Sequence, residues 1–222
     1  MAVKNKTKQF AVIGLGRFGT SVARALYLLG YEVLAIDADE EQVQKFSEEV
    51  THVVQADTTD ENSLKALGIR NFDVVIVAIG ENMQANVFTT LLLKDLGVKH
   101  IVAKARNELH GKMLEKIGAD RVVYPERDMG QRVAHNLVST NVLEYIELSP
   151  NLSIVEITAP KALVGQSLAE ADLRAKYKVN VVAMKRGEQV TAPPQPNEKI
   201  AKGDILIIVG ESQGVQKLEE LE

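Results

Sequence analysis

Short apolar runs alternate with segments of helical periodicity over the first half of the chain. The runs are nearly continuous in Val, Ile and Ala, as in parallel strands that are buried on both faces. Helical segments between them end at glycines, which are typical left-handed stop residues. This alternation predicts βαβ units in a Rossmann-like α/β fold with a doubly wound parallel sheet. The predicted strands are Phe10–Ile13, Val33–Ile36, His52–Gln55, Val74–Ile79, Ile101–Ala103 and Val122–Tyr124, and the predicted helices are Thr20–Leu29, Glu40–Glu49, Glu61–Leu67, Met83–Leu96 and Glu108–Ile117.

The alternation stops after residue 126, and the pattern changes. Residues 127–150 are expected to form crossover or linker helices, which include Val142–Leu148. The remaining residues, 151–222, contain short strand-like runs and a closing helix, and they predict a small α+β module. The predicted domains are therefore a nucleotide-binding domain over 1–126, a linker over 127–150 and the module over 151–222. A module of this size is small for independent stability, so we expect it to pair with a second copy.

The first predicted strand ends in a G-x-G-x-x-G motif. Gly14 permits a tight turn, and Gly16 lets backbone N–H groups approach a diphosphate. Gly19 lets the following helix pack close to the strand, and the start of that helix favours an anion. The second strand ends in Asp37, at about the spacing of a ribose-binding carboxylate, and an acid here disfavours the 2′-phosphate of NADP. Together these residues predict a nucleotide site.

The loops that follow the strands meet at one edge of such a sheet, where these folds bind ligands. We expect Ala56 and Asp57 to border the base, with Asp57 accepting a hydrogen bond from an exocyclic amine. Gly80 leaves room for phosphates, and Lys104 is expected to contact one. For each loop residue alone, a turn or a helix cap is the alternative. The predicted nucleotide-binding set is Gly14, Leu15, Gly16, Arg17, Phe18, Asp37, Asp39, Ala56, Asp57, Ile79, Gly80, Glu81, Asn82 and Lys104.

Arg17 is an unusual residue for a dinucleotide-binding glycine motif. It places a guanidinium group, which recognises phosphate in a fork-like geometry, between the second and third glycines. This extra cation favours a triphosphate, or a phosphate bound by a neighbouring subunit, over the diphosphate of NAD. A solvated surface arginine is the alternative.

Composition narrows the function further. The net charge of -4 argues against nucleic-acid binding, and the absence of cysteine excludes disulfides and cysteine-based metal sites. No apolar run approaches the ~20 residues of a membrane span. The polar N-terminus lacks the apolar core of a signal peptide. We therefore expect a cytoplasmic protein whose membrane role, if it has one, depends on a partner.

No catalytic constellation is evident, because the sequence has neither a P-loop nor a nucleophile elbow. We therefore assign no catalytic residue. Glu126, with Asp128, is a candidate for holding a divalent cation near a nucleotide, and an acid that complements a helix dipole is the alternative. An NAD-dependent oxidoreductase and a non-catalytic NAD(H) redox sensor remain open as alternative functions.

Several motifs together resemble the KTN/RCK regulatory subunits of bacterial potassium channels and transporters, in particular those of the Ktr potassium-uptake system. The resemblance covers nearly the whole chain. The motifs are Phe10–Gly19, Val75–Asn82, Leu114–Asp120, Pro125–Gly130, Asp172–Tyr177 and Gly203–Gly210.

The resemblance implies a nucleotide-gated assembly. The N-terminal domain would bind ATP or ADP, with ATP as the activating ligand. Arg17 would reach the terminal phosphate of ATP held by the neighbouring subunit, and Glu126 would hold Mg2+ or Ca2+ with ATP. Dimers would assemble into an octameric ring that docks on a membrane-embedded potassium-translocating subunit. The C-terminal module would dimerise and bind the inhibitor cyclic di-AMP through Leu173, Arg174, Asn180, Val181 and Pro194.

Overall fold

The structure is a computed structural model that describes residues 8–138, 141–149 and 151–221. The chain divides into two compact units after Glu126. No described helix is both long enough and apolar enough to cross a membrane.

The first unit is a parallel sheet with helices on both faces. The strand order is β3-β2-β1-β4-β5-β6, the order of a full Rossmann sheet, and it confirms the predicted fold class. The strands are β1 (Gln9–Ile13), β2 (Glu32–Asp37), β3 (His52–Gln55), β4 (Val74–Val77), β5 (Ile101–Lys104) and β6 (Arg121–Val123). The helices are α1 (Arg17–Leu28), α2 (Glu40–Phe46), α3 (Glu61–Ala66), α4 (Met83–Asp95) and α5 (Glu108–Ile117), with a 3-10 turn at Ile69–Asn71.

Alternating residues of the central strands fill two separate cores. Ile13 of β1 packs in one cluster with Leu93 of α4 and Leu114 of α5. Val12 packs in the other cluster with Ala23 of α1 and Phe46 of α2. Because both faces are covered, the strands are apolar without alternation, which explains the sequence pattern.

The register places the strand ends at one edge of the sheet. Ile13 pairs with Ile36 of β2 and with Val77 of β4, and Val77 pairs in turn with Ala103 of β5. The loops that begin after these residues therefore leave the sheet side by side. Helix α1 begins at Arg17, three residues before the predicted start at Thr20. The glycine motif therefore supplies the first helical turn itself.

The second unit is an antiparallel sheet of strand order β10-β9-β11-β8-β7 with short helices. Its strands are β7 (Val142–Ser149), β8 (Leu152–Thr158), β9 (Val179–Arg186), β10 (Gln189–Thr191) and β11 (Ile205–Glu211). Its helices are α7 (Leu168–Ala171), α8 (Leu173–Tyr177) and α9 (Ser212–Glu219), with a 3-10 turn at Lys161–Leu163, and α6 (Pro125–Val138) begins just before the division.

Residues 142–148 differ from the prediction of linker helices, because they form the edge strand β7. Val142 pairs with Ile157, and Ile146 pairs with Ile154, in an antiparallel ladder. Val142 is also buried in the core of the unit. Ladder bonds and burial override a local sequence that is compatible with a helix. Residues 139, 140 and 150 of the predicted linker lie outside the described residues.

Candidate functional site

A cavity of about 750 Å³ lies at the carboxyl edge of the parallel sheet. Every residue predicted for the nucleotide lines it, and so does Glu126. The lining residues that the prediction did not include are Ile13, Thr20, Ala38, Gln42, Thr58, Thr59, Ala78 and Ala85.

The glycine turn forms the floor of this cavity. Gly14 has a φ of +97°, and a Cβ there would lie 2.9 Å from the backbone nitrogen of Ile79. A Cβ on Gly19 would overlap the carbonyl oxygen of Gly14, so only glycine allows this approach of α1 to the turn. A Cβ on Gly16, by contrast, would meet nothing within 4 Å. Close backbone packing therefore requires the outer two glycines, whereas the middle one faces open space.

Helix α1 starts without a side-chain cap. Gly16 occupies its N-cap position, and the first turn contains no acidic residue. The other four helices of the first unit are each capped by a side chain, namely Asp39, Asp60, Asn82 and Asn107. The first turn of an α-helix has backbone N–H groups without partners inside the helix, and these favour an anion. An anion in the cavity is therefore the natural partner for the start of α1.

Asp37 ties the glycine turn to the end of β2. Its Oδ2 accepts a hydrogen bond from the N–H of Leu15 at 2.5 Å, and its Oδ1 accepts one from the N–H of Asp39 at 2.9 Å. A carboxylate has about four acceptor positions, so two remain for hydroxyl groups such as those of a ribose.

Three other predicted polar residues form the turns and caps that the sequence left open as alternatives. Asp39 caps α2 through the N–H of Glu41. Asn82 caps α4 through the N–H of Ala85. Oδ1 of Asp57 accepts hydrogen bonds from both the N–H and the hydroxyl of Thr59. These side chains shape the loops, and they still line the cavity.

The two basic side chains that line the cavity, Arg17 and Lys104, both lie near the carboxylate of Glu126. Nζ of Lys104 lies 2.6 Å from Oε1 of Glu126 and 5.8 Å from the centre of the Phe18 ring. The hydrogen bond from Lys104 is the main cause that holds the pKa of Glu126 below its ordinary value, and the nearby Arg17 guanidinium acts in the same direction. Arg17 itself is exposed.

Glu126 is the acidic residue proposed for a cation. The described residues contain no group of three or more His, Cys, Asp or Glu side chains that could hold a metal ion. Mg2+ is commonly bound through one or two carboxylates plus the phosphates of a substrate. A single carboxylate that lines this cavity would therefore suit a cation that arrives with a nucleotide.

Two of the unpredicted lining residues carry a sequence signal that was available. Thr59 completes the D-T-T turn that begins at Asp57. Thr20 lies one helical turn after Gly16, to which its hydroxyl donates a hydrogen bond. Gln42 and Ala85 line the cavity from the first turns of their helices, a placement that depends on how those helices pack.

A second cavity, of about 230 Å³, lies in the second unit. All five residues predicted for cyclic di-AMP line it, together with Leu168, Ala169, Asp172 and Val179. Asp172 has a φ of +44° and separates α7 from α8. The loop that carries Pro194 is held to α7 by the N–H of Ala169, which donates to the carbonyl of Pro196 at 2.8 Å.

Protein-family models match both units of the chain. Residues 10–125 match the TrkA-N domain, and residues 152–222 match the TrkA-C domain. The chain is 54% identical to the Ktr system potassium uptake protein C of Bacillus subtilis (strain 168) over 213 residues, which cover 96% of each chain. It is 48% identical to the Ktr system potassium uptake protein A of the same organism over 214 residues, again 96% of each chain.

Solved structures share the fold at lower identity. The GsuK channel matches with a TM-score of 0.71 and 20% identity over 98% of this chain and 40% of that chain. The NAD(P)-binding domain of an exopolyphosphatase-related protein from Archaeoglobus fulgidus matches with a TM-score of 0.52 and 23% identity over 58% of this chain and 96% of that chain. At such low identities, these two similarities concern the fold alone.

Proposed function

Because the chain belongs to the family of the Ktr system potassium uptake proteins A and C, with a TrkA-N and a TrkA-C domain, we propose that it is a nucleotide-sensing regulatory subunit of such a system. In this proposal it is not an enzyme. It acts at the inner face of the membrane on a membrane-embedded subunit that translocates potassium. The names of the two relatives support the transport process, and the cavity of the first unit supports the nucleotide.

The observation that carries this proposal is the arrangement of Arg17 at the uncapped start of α1. The backbone N–H groups of this turn suit the phosphates of a nucleotide, and Asp37 suits its ribose. Arg17 lines the cavity and is exposed, so it is available to a terminal phosphate. ATP and ADP differ by that one phosphate, which makes a guanidinium here a suitable sensor of the difference.

We place the sensing across a subunit boundary. Arg17 of one subunit contacts the terminal phosphate of ATP in the neighbouring subunit, and ADP offers no such contact. A ligand shifts a conformational equilibrium only by its difference in affinity between the two states. A hydrogen bond between charged groups contributes about 1.5–3 kcal/mol, and repetition around an octameric ring of dimers multiplies the effect.

Lys104 and Glu126 complete the phosphate end. Lys104 binds a phosphate, and Glu126 holds Mg2+ or Ca2+ together with the nucleotide. The cation adds positive charge among the phosphate oxygens. Since Lys104 and Glu126 pair with each other at 2.6 Å, the phosphate and the cation each replace one partner of an existing ion pair.

The second cavity is proposed as half of a site for cyclic di-AMP, an inhibitor in this proposal. Its volume of about 230 Å³ is below the roughly 300–1,000 Å³ of usual small-molecule pockets. A second copy of the module would supply the other half. Arg174 and Asn180 are suitable partners for phosphate, and Leu173, Val181 and Pro194 offer apolar surface for a base.

Calorimetric titration with ATP, ADP, NAD and NADH tests the nucleotide assignment. We expect the wild type to bind ATP and ADP more tightly than NAD or NADH. Arg17→Ala should still bind ADP as the wild type does, but should lose at least about tenfold in affinity for ATP in the assembled ring, because a charge-assisted bond is lost. Arg24→Ala is the matched control, since Arg24 is exposed on the same helix and pairs with Glu49 outside the cavity. Equal ATP affinity in both variants contradicts the role of Arg17.

An NAD(H) redox sensor is the second candidate function. The observation that favours it is the pair of Asp37 and the glycine turn, which suits the ribose and diphosphate of NAD equally well. Tighter binding of NADH than of ADP in the same titration would favour this candidate. Consumption of NADH in the presence of a substrate would instead favour the oxidoreductase.

A further inference from the structure

Helix α4 connects to three of the loops that line the nucleotide cavity. These loops follow β3, β4 and β5. The contacted residues are Thr58 and Ile79 in the first two loops, and Lys104, the last residue of β5, where the third loop begins. The connections are made by Asn86 and Thr89, two polar side chains of α4 that are 0% exposed. Neither residue lines the cavity itself.

Asn86 joins the loops after β4 and β5. Its Nδ2 donates one hydrogen bond to the carbonyl oxygen of Ile79 at 2.7 Å and another to that of Lys104 at 3.1 Å. Both donors of one planar amide are therefore used, which fixes the distance between the two loops. Ile79 precedes Gly80 on the cavity wall, and Lys104 carries the ammonium group that pairs with Glu126.

Thr89 joins the loop after β3 to the same helix. Its Oγ1 lies 2.9 Å from Oγ1 of Thr58, and it donates to the carbonyl oxygen of Thr58 at 3.2 Å. Thr58 follows Asp57, the residue expected beside the base. The loop expected beside the base and the loops expected beside the phosphates are thus all hydrogen-bonded to the same helix, α4.

Burying polar groups in an apolar core is unfavourable unless they form hydrogen bonds. The burial of Asn86 is unfavourable even with its two hydrogen bonds, because its Oδ1 is buried without a hydrogen-bond partner among the described residues. An apolar side chain would serve the packing of α4 against the core equally well. What the amide alone provides is the link between the two loops.

We infer that Asn86 and Thr89 are positioning residues that set the spacing of the base and phosphate subsites, an inference that rests on the proposed nucleotide function. Thr90 is a matched control for Thr89. It is also 0% exposed on α4, but its hydroxyl donates to the carbonyl oxygen of Asn86 within the same helix. Thr89→Val and Thr90→Val therefore make the same chemical change at the same depth, and only the first releases a cavity loop.

Two measurements on the full chain test the inference, with adenosine and ADP as probes. By calorimetry, Thr89→Val should weaken both probes by about fivefold, the loss expected for about one hydrogen bond, whereas Thr90→Val should leave both unchanged. Asn86→Ala should weaken ADP by about tenfold and adenosine by less than about twofold, because it releases the phosphate side. Hydrogen–deuterium exchange without ligand should be faster over residues 56–59 in Thr89→Val, and over 78–81 and 103–106 in Asn86→Ala.

The outcomes distinguish a failure of the positioning role from a failure of the proposed nucleotide function. The positioning role is overturned if hydrogen exchange and affinity change equally in Thr89→Val and Thr90→Val, or if they change in neither variant. If exchange changes as expected while the wild type binds neither probe, the proposed nucleotide function fails and the positioning of the loops stands.

Discussion

Gly19 shows most directly how a single residue determines this site. Its Cα hydrogen faces the carbonyl oxygen of Gly14, where a methyl group has no space. Any side chain there would push α1 away from the glycine turn, and the N–H groups at the helix start would move with it. The motif therefore encodes a distance between two backbone segments.

Gly19→Ala tests this steric account. We expect a loss of about 2–4 kcal/mol in the free energy of unfolding, because the overlap is with rigid backbone. Gly130→Ala is the control, since a Cβ there would meet nothing within 4 Å and the residue lies inside α6. Alanine in a helix interior should be neutral or stabilising by up to about 1 kcal/mol. Urea denaturation measures both, and equal midpoints for Gly19→Ala and the wild type would refute the steric argument.

At the residue scale, the sequence allowed the cavity-lining residues to be predicted where their position after a strand was enough. Asp37 and Lys104 each close a strand, and Gly80 follows one closely, so the parallel sheet places them together. The ion pair of Lys104 with Glu126 and the bonds of Asn86 were not predictable. They join residues 7, 18 and 22 positions apart, with no periodic pattern between the partners, and the pairing is determined by how the helices pack.

At the scale of elements, the first unit was the more predictable of the two. Strands buried on both faces give continuous apolar runs, and glycines mark the helix ends, so order and type follow from pattern alone. The second unit has half-exposed strands and short helices. Val142–Ser149 is a strand because of its ladder with β8, and Asp172 divides a helix through its left-handed backbone. Neither property has a clear local signal.

The pair of Arg186 and Asp204 links the end of β9 to the start of β11. Nε and Nη2 of Arg186 donate to the two carboxylate oxygens of Asp204 at 2.8 and 2.7 Å, and Asp204 is 1% exposed. The hydrogen bonds from Arg186 are the main cause that lowers the pKa of Asp204. The carboxylate therefore stabilises the fold above its ordinary pKa, and this contribution is lost as the pH falls through the lowered value.

Asp204→Asn should accordingly destabilise the protein by about 2 kcal/mol at neutral pH, less than for a fully buried pair because the Arg186 side chain is half exposed. The gap to the wild type should narrow below the ordinary carboxyl pKa of about 3.9. Asp172→Asn is the control, because Asp172 is exposed and asparagine tolerates its left-handed backbone. Urea denaturation monitored by circular dichroism between pH 7 and pH 3 measures both variants. A constant gap over this range would be inconsistent with the ion pair as the source of stability.

At the scale of the whole molecule, each of the two compact units has a cavity of its own. The first unit has an uncapped helix start, to which we assign the phosphates, with an exposed arginine. The second offers a small, open cavity that suits completion by another copy. In the proposed function, the molecule reports two ligands to one membrane partner. The fold and the family could be predicted from the sequence. Ring formation and the partner's response could not, because they are properties of an assembly of several chains.

The central claim is that Arg17 converts the number of nucleotide phosphates into potassium flux. Its most direct test is potassium flux through the reconstituted membrane-embedded partner, with the ring of wild type, Arg17→Ala or Arg24→Ala bound to ATP or to ADP. We expect ATP to raise the potassium flux above its level with ADP for wild type and Arg24→Ala, and Arg17→Ala to give the ADP level with either nucleotide. An undiminished ATP response in Arg17→Ala would contradict the central claim.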